Sequence, residues 1–233
     1  MGLILFIMLQ PDFGSVVIIA TCIAAMIFVG GLPMRQFFII MGAMFLAGTM
    51  AIMGASYRLK RVTSFLDPFD DLKNSDYQLG RSIVAFARGE WFGVGYGESI
   101  QKLSHLPEAH TDFLLAVIAE ELGFAGVAVV MGLFVWLVFR AFAIGRQAAL
   151  QERFFAALTA QGIGMWIGFQ TLINMGVNVG LLPTKGLTLP LMSFGGSSLV
   201  VNCVALAILL RIDWETRQIS RGLSVWPRAR PQS

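Results

Sequence analysis

Asp112 has the strongest claim of any residue in this chain to do chemistry. It lies in the run Leu106-Pro107-Glu108-Ala109-His110-Thr111-Asp112-Phe113, just where a long apolar stretch begins. A carboxylate at a helix N-terminus is favoured as the anion by the helix dipole, and partial desolvation opposes that ionisation. The balance makes it a candidate general base for a hydroxyl acceptor. The same position suits a helix cap, and residue type alone leaves both readings open. Glu120 and Glu121 follow roughly 12 Å further along a helix rising 1.5 Å per residue, where an ionisable group is expensive and needs a cavity or a partner. At about 100° per residue, Glu120 falls about 80° round from Asp112 and Glu121 about 180°, so one pocket cannot take both. Hydrogen bonding of a protonated carboxyl between helices is the competing expectation for the pair. Lys185, in Leu182-Pro183-Thr184-Lys185-Gly186-Leu187, offers a point charge for a phosphate or is a solvated loop cation. Ser193-Phe194-Gly195-Gly196-Ser197-Ser198 reads as an irregular or closely packed stretch inside a span. A nucleophilic serine has no basis there, since no base stands near it in sequence and the GxSxG pattern is absent.

These residues must be positioned by a membrane protein. The chain has 233 residues, 56% hydrophobic and only 13% charged, with a mean hydropathy of +0.73. Soluble domains carry about 25% charged residues, and this much apolar surface cannot be hidden in one soluble core of this size. The formal charge of +3 is too small and too scattered for nucleic-acid binding. Cys22 and Cys203 sit in apolar runs and read as small buried hydrophobes. No CxxC or paired-histidine spacing points to a metal site, and His105 and His110 are the only histidines.

Segments of about 17–25 apolar residues can span a bilayer. Five qualify: Phe13 to Val29, Phe37 to Ala55, Phe113 to Phe139, Phe154 to Val177 and Leu189 to Leu210. Gly2 to Leu9 precedes them as a stub that reads as the end of a further helix, and Asp12 after Pro11 reads as a cap. The fold expected is therefore an all-α polytopic transmembrane bundle, one membrane domain over residues 1–233. A basic linker, Arg140 to Arg153, and a basic tail, 211–233, lie on one side by alternation of spans, which the positive-inside rule makes cytoplasmic. The long loop 56–111 then lies outside, and loops of that length are usually functional. Within it, Tyr77 to Arg88 places Leu79, Ile83, Phe86 and Ala87 at helical spacing, an amphipathic interfacial helix. Gly93, Gly95 and Gly97 form a flexible stretch that lacks the βαβ context of a dinucleotide site.

Five runs in order resemble one family. They are Gln10-Pro11-Asp12-Phe13-Gly14, Gly93 through Leu103, Leu106 through Phe113, Glu120-Glu121-Leu122-Gly123, and Leu182 through Ser198. With Arg58 to Phe69 and Arg211 to Arg217, they resemble the SEDS family over essentially the whole chain, its cell-division branch more than its elongation branch. The resemblance implies a peptidoglycan glycosyltransferase polymerising lipid II at the outer face of the cytoplasmic (inner) membrane, at the division septum. It implies Asp112 as the catalytic aspartate and Lys185 as a residue of the same site. Arg58, Arg61 and Lys102 of the long loop become candidates for the pyrophosphate, and His110, Ser193 and Ser197 for other substrate contacts. It also implies a class B penicillin-binding transpeptidase and other division proteins as partners, beside the nascent glycan strand and membrane lipids. A divalent cation, Mg2+ or Mn2+, or basic side chains would stabilise the leaving group, with no organic cofactor. Family members typically have ten spans, so about the first half is expected to be missing. A lipid II flippase and a non-catalytic division scaffold are the rival readings.

Overall fold

The computed structural model describes residues 13–53, 77–101, 110–182 and 186–222, and these are helix, turn and loop throughout. The stub Gly2 to Leu9, Asp12, the stretch Arg58 to Phe69, Lys102 and Lys185 lie outside the described residues. Six helices are described: α1 (Phe13–Val29), α2 (Met34–Met53), α3 (Tyr77–Gly89), α4 (Leu114–Leu150), α5 (Phe154–Asn178) and α6 (Gly196–Ser220).

α1 is apolar along its length and ends at Gly30-Gly31, where the amide of Gly30 bonds the carbonyl of Met26 at 2.8 Å and that of Leu32 bonds Ile27 at 3.3 Å. Pro33 then donates no amide, but its carbonyl accepts from Gln36 and Phe37 and starts α2. The centre of the molecule is α4 and α5 packed along each other, with α3 and α6 against α4 and α1 against α5. One core cluster joins Leu115, Val127 and Phe134 of α4 to Ile163 and Ile167 of α5, Leu189 and Ala205. A second, rich in alanine, brings Ala141, Ala148, Ala157 and Ala160 against Leu209 and Ile212, the small-residue contact that lets helix backbones approach without hydrophobic drive from water. Outside, Phe38, Val129, Leu133, Trp136, Phe139 and Phe155 are exposed, an apolar surface suited to lipid. α4 and α6 are long and apolar enough to cross a membrane. α5 has comparable length, but Gln170, Thr171, Asn174 and Asn178 interrupt its apolar sequence and are buried inward.

Several expectations are corrected. α4 does not end at Phe139: it continues to Leu150, so most of the basic linker from Arg140 is helical. α6 starts at Gly196 rather than Leu189 and runs to Ser220, so the glycine pair marks its start, and the first ten residues of the expected tail are helix. Cys203 is exposed rather than buried. α3 forms where the spacing predicts, yet Ala87 is exposed and the buried face is Leu79, Ser82 and Ala85, packed on α4 and α5.

α4 is also not one straight rod. At Gly123 the backbone leaves the helix (φ 66°, ψ −166°), a conformation open to glycine because it has no Cβ. The groups freed there are taken up by the loop after α3. The amides of Val94 and Gly95 donate to the carbonyls of Glu120 (2.9 Å) and Glu121 (3.1 Å), and those of Phe124 and Ala125 donate to Glu90 (2.9 Å) and Trp91 (3.1 Å). A Cβ on Gly93 would stand 2.1 Å from the Glu121 carbonyl oxygen. Gly93 therefore serves close backbone packing, while Gly95 and Gly97 have no such close contact and instead hold positive φ of 117° and 91°. Glu120 sits at this crossing, fully buried, and accepts from Arg88 (2.7 Å), from the Ser99 hydroxyl and from the amides of Ile100 and Gln101 (3.3 Å each). One of its partners is the Arg88 guanidinium, so Glu120 is tied to α3 and the loop after it by an ion pair rather than to another transmembrane helix.

The ends of α4, α5 and α6 far from Asp112 are held by charge. Asp213 accepts from Arg140 (3.3 Å) and Arg217 (2.9 Å), and Glu215 from Arg211 (2.6 Å) and Arg153. The Arg211 guanidinium also lies 4.7 Å from the centre of the Trp214 ring, a cation–π contact.

Candidate functional site

Asp112 lies at the mouth of the helix layer, part-buried, on the turn that leads into α4. The N-cap position falls on Phe113, which makes no side-chain cap bond, so Asp112 stands one residue outside the position a capping role needs. Beneath it, Phe113 packs with Ala116 of α4, Ala85 of α3 and Val177 of α5, which fixes the turn on an apolar floor.

The backbone at Asp112 is held by amide side chains from α5. Asn174 and Asn178 both donate to the Asp112 carbonyl, at 2.9 and 3.0 Å. Asn174 donates as well to the Leu187 carbonyl at 2.6 Å, and Gln170 donates to Thr188 at 2.8 Å. The Asn178 oxygen accepts from the amide of Ala116 at 3.2 Å. Ser82 of α3 donates to the Asn178 carbonyl at 2.7 Å. Residues four apart share a helix face, so Gln170, Asn174 and Asn178 form one polar stripe that ties the turn at Asp112 to the loop before α6. The sequence reading passes over this stripe. Its signal was available: three amides at a spacing of four in an otherwise apolar helix, where a polar group needs a partner.

The loop before α6 is laced to the same turn from its other end. The Ser193 hydroxyl donates to the Thr111 carbonyl at 2.6 Å and accepts from the amide of Leu189 at 2.8 Å. The amide of Phe194 donates to the His110 carbonyl at 2.9 Å. Leu191, within this loop, holds a positive φ of 65°, a conformation that costs a non-glycine residue energy and persists only where its surroundings impose it. A Cβ added to Gly186 would lie 3.3 Å from Oδ2 of Asp112, so the residue next to Lys185 in the chain faces the carboxylate directly. The structure thus brings Gly186, at the start of the described loop before α6, against the Asp112 turn.

The other candidates divide. His110 is exposed beside Asp112 in the chain, and Ser197 is exposed in the first turn of α6. Ser193 is 3% exposed and its hydroxyl is engaged in both directions, which makes it a tie between loops rather than a surface for substrate. Arg58, Arg61, Lys102 and Lys185 lie outside the described residues. No group of three or more His, Cys, Asp or Glu side chains that could hold a metal occurs among the described residues.

Comparison with known proteins gives one consistent result. Residues 1–218 match the model of the FtsW/RodA/SpoVE family, described as cell cycle protein. The chain is 56% identical over 213 residues to the probable peptidoglycan glycosyltransferase FtsW of Aromatoleum aromaticum, covering 91% of this chain and 52% of that protein. It is 54% identical over 217 residues to the protein of the same description in Legionella pneumophila, covering 93% and 55%. It therefore spans about half the length of the curated relatives it matches. Among solved structures it is similar, with a TM-score of 0.75 and 31% identity, to a chain of a peptidoglycan synthase complex that coordinates polymerization and crosslinking, covering 93% of this chain and 60% of that one. It is also similar to a mutant of the rod shape determining protein RodA of Thermus thermophilus, with a TM-score of 0.59 and 26% identity, covering 93% and 54%. With nearly its whole length matched in sequence and fold, the chain belongs to the SEDS family, that of FtsW and RodA.

Proposed function

We propose that this chain carries the catalytic part of a peptidoglycan glycosyltransferase that polymerises lipid II at the outer face of the cytoplasmic membrane during septal wall synthesis. The observation that carries this reading is the position of Asp112: a part-buried carboxylate on a turn fixed by Asn174 and Asn178, with Gly186 of the Lys185 loop against it. In this reading Asp112 accepts the proton of the 4-hydroxyl of the GlcNAc in an incoming lipid II. That oxygen forms a bond to the anomeric carbon of the MurNAc at the end of the growing strand, and the bond from that carbon to undecaprenyl pyrophosphate breaks. An α-linked donor giving a β-1,4 product is a single inverting displacement, for which one base suffices on the protein side. The leaving group departs as pyrophosphate, neutralised by Lys185 and by Arg58, Arg61 and Lys102 of the long loop. A divalent cation would act as a further clamp on those oxygens. Such an ion needs only one or two carboxylates beside the substrate phosphates.

The placement that goes with this chemistry is a multi-pass chain with Asp112 and the loop 56–111 outside and the tail 211–233 inside. The partner is a class B penicillin-binding transpeptidase that crosslinks the product, a reading supported by the synthase complex among the structural relatives. The apolar outer surface around α4 and α6 suits the lipid tails of both substrates.

The test is polymerisation of labelled lipid II by the longer parent protein with its transpeptidase, read as glycan products on a gel. Asp112→Asn is expected to lower the rate by about 10²–10⁴, the usual contribution of general-base catalysis, with folding unchanged. Polymer formed equally by the variant would sink the base assignment. Lipid translocation without polymer would favour a flippase, and normal division with Asp112→Asn would favour a scaffold.

A further inference from the structure

At the opposite end of the helix layer from Asp112, the ends of α4 and α6 enclose a pocket of ≈ 490 Å³. Arg140, Gln147, Gln151, Arg217, Ser220 and Arg221 supply its polar lining. Three guanidinium groups thus face one space. Arg140 and Arg217 share Asp213, and Arg221 pairs with no carboxylate among the described residues. The next carboxylate along α6, Glu215, is taken up by Arg153 and Arg211. Exposed Glu152 and Arg146 near the end of α4 offset each other. The C-termini of α4 and α6 bring a partial negative charge of roughly 0.5 each. Against three guanidinium groups and one carboxylate, they leave about one positive charge in excess, which is the requirement for an anion.

A second observation concerns a neutral group. The Gln151 amide nitrogen donates to the Thr216 carbonyl at 2.9 Å, while its oxygen is buried and has no hydrogen-bond partner among the described residues. A buried acceptor without a donor costs about 1–3 kcal/mol, and Gln151 is one of the residues lining the pocket, so a hydroxyl reaching its oxygen would remove that cost. Apolar side chains are at hand: Leu150 lines the pocket and is exposed, and Phe154, Phe155, Leu210 and Ile219 are exposed on the same segments of the chain, the start of α5 and the second half of α6. Phosphate, hydroxyl and hydrocarbon occur together in one class of molecule.

We propose that this pocket holds the headgroup of an anionic glycerophospholipid of the phosphatidylglycerol type, from the leaflet opposite Asp112. The proposal rests on α4 and α6 crossing the membrane, but not on the chemistry assigned to Asp112. The phosphodiester takes the fork of donors offered by the arginines, which matches a phosphate in geometry and charge. A headgroup hydroxyl donates to the Gln151 oxygen, and the acyl chains lie on the exposed apolar residues beside it. The lipid then bridges the ends of α4 and α6 where Asp213 already joins them.

The test is a titration of the whole chain in an uncharged detergent, reading lipid adducts by native mass spectrometry. Phosphatidylglycerol, phosphatidylcholine and soluble glycerol phosphate form separate arms. One saturable phosphatidylglycerol adduct is expected, and Arg221→Gln is expected to weaken it about tenfold, the scale of one hydrogen bond to a charged group. Arg221 is exposed at the end of α6, so this variant retains its fold. Arg146→Gln, the same charge change on an exposed α4 residue outside the pocket lining, is expected to change binding less than twofold. Equal binding of phosphatidylcholine would overturn the proposal, leaving an apolar surface only. So would an equal loss with Arg146→Gln, which reports net charge, or displacement by glycerol phosphate at equal concentration, which reports a site for a free anion.

Discussion

The two ends of the helix layer are fastened by different chemistry. At the Asp112 end, neutral amides do the work: Gln170, Asn174 and Asn178 reach three backbone carbonyls and one backbone amide outside α5. At the far end, ions do it: two carboxylates gather four arginines. The amides of α5 hold the backbone of the Asp112 turn through neutral groups, so among the described residues its position is fixed without an ion pair on the Asp112 carbonyl. An end facing a headgroup layer gains from long cationic side chains that reach between helices.

This contrast can be broken by removing one member from each side. The largest expected effect is Asn178→Leu. It withdraws one of two donors from the Asp112 carbonyl and the acceptor from the Ala116 amide, at a site with no exposure to water. The Ala116 amide is left unpaired, at about 1–3 kcal/mol, and the Asp112 carbonyl keeps only Asn174, so a loss of about 2–4 kcal/mol is expected in total. A clear fall in thermal stability in detergent is expected, along with a fall in turnover as the Asp112 turn loosens. Unchanged stability would show that the amide stripe is incidental. Glu215→Gln comes next. Arg153 and Glu215 are only partly exposed, 27% and 15% by side chain, so the loss is expected at about 1–2 kcal/mol, below that of a fully buried pair. A loss as large as that of Asn178→Leu would erase the distinction between the ends. The smallest effect is Arg211→Gln, whose side chain is 60% exposed. An exposed pair contributes less than about 1 kcal/mol. Its effect should vanish near 1 M salt, where charges are screened within about 3 Å, while the effect of Asn178→Leu persists.

How much of this was legible in the sequence differs by element. α1 is read to the residue, and α5 to within one, because an unbroken apolar run bounded by Gly-Gly or by arginine leaves little freedom. The juxtaposition of the Asp112 turn with Gly186 and the loop before α6 was not legible from spacing, since it depends on side chains of α5 about 60 residues away. The start of α6 was misplaced because Leu189, Pro190 and Leu191 are as apolar as a span yet form a turn with Leu191 at positive φ. The break at Gly123 was missed because hydropathy does not register one glycine in a long apolar run. The backbone partners that stabilise the break come from residues 90 to 95, outside any local window.

The break at Gly123 also imposes an order on biosynthesis. A continuous helix enters the bilayer with its backbone groups already satisfied, but α4 does not, because four of its hydrogen bonds around Gly123 are supplied by the preceding loop. In hydrocarbon each missing partner costs several kcal/mol. A helix released into lipid without Glu90 to Gly95 against it would leave those groups unpaired, so α3, the loop and the first turns of α4 are expected to insert as one unit. A ribosome reaches Gly95 before it reaches Gly123, so the partner strand is already made when the helix that needs it emerges.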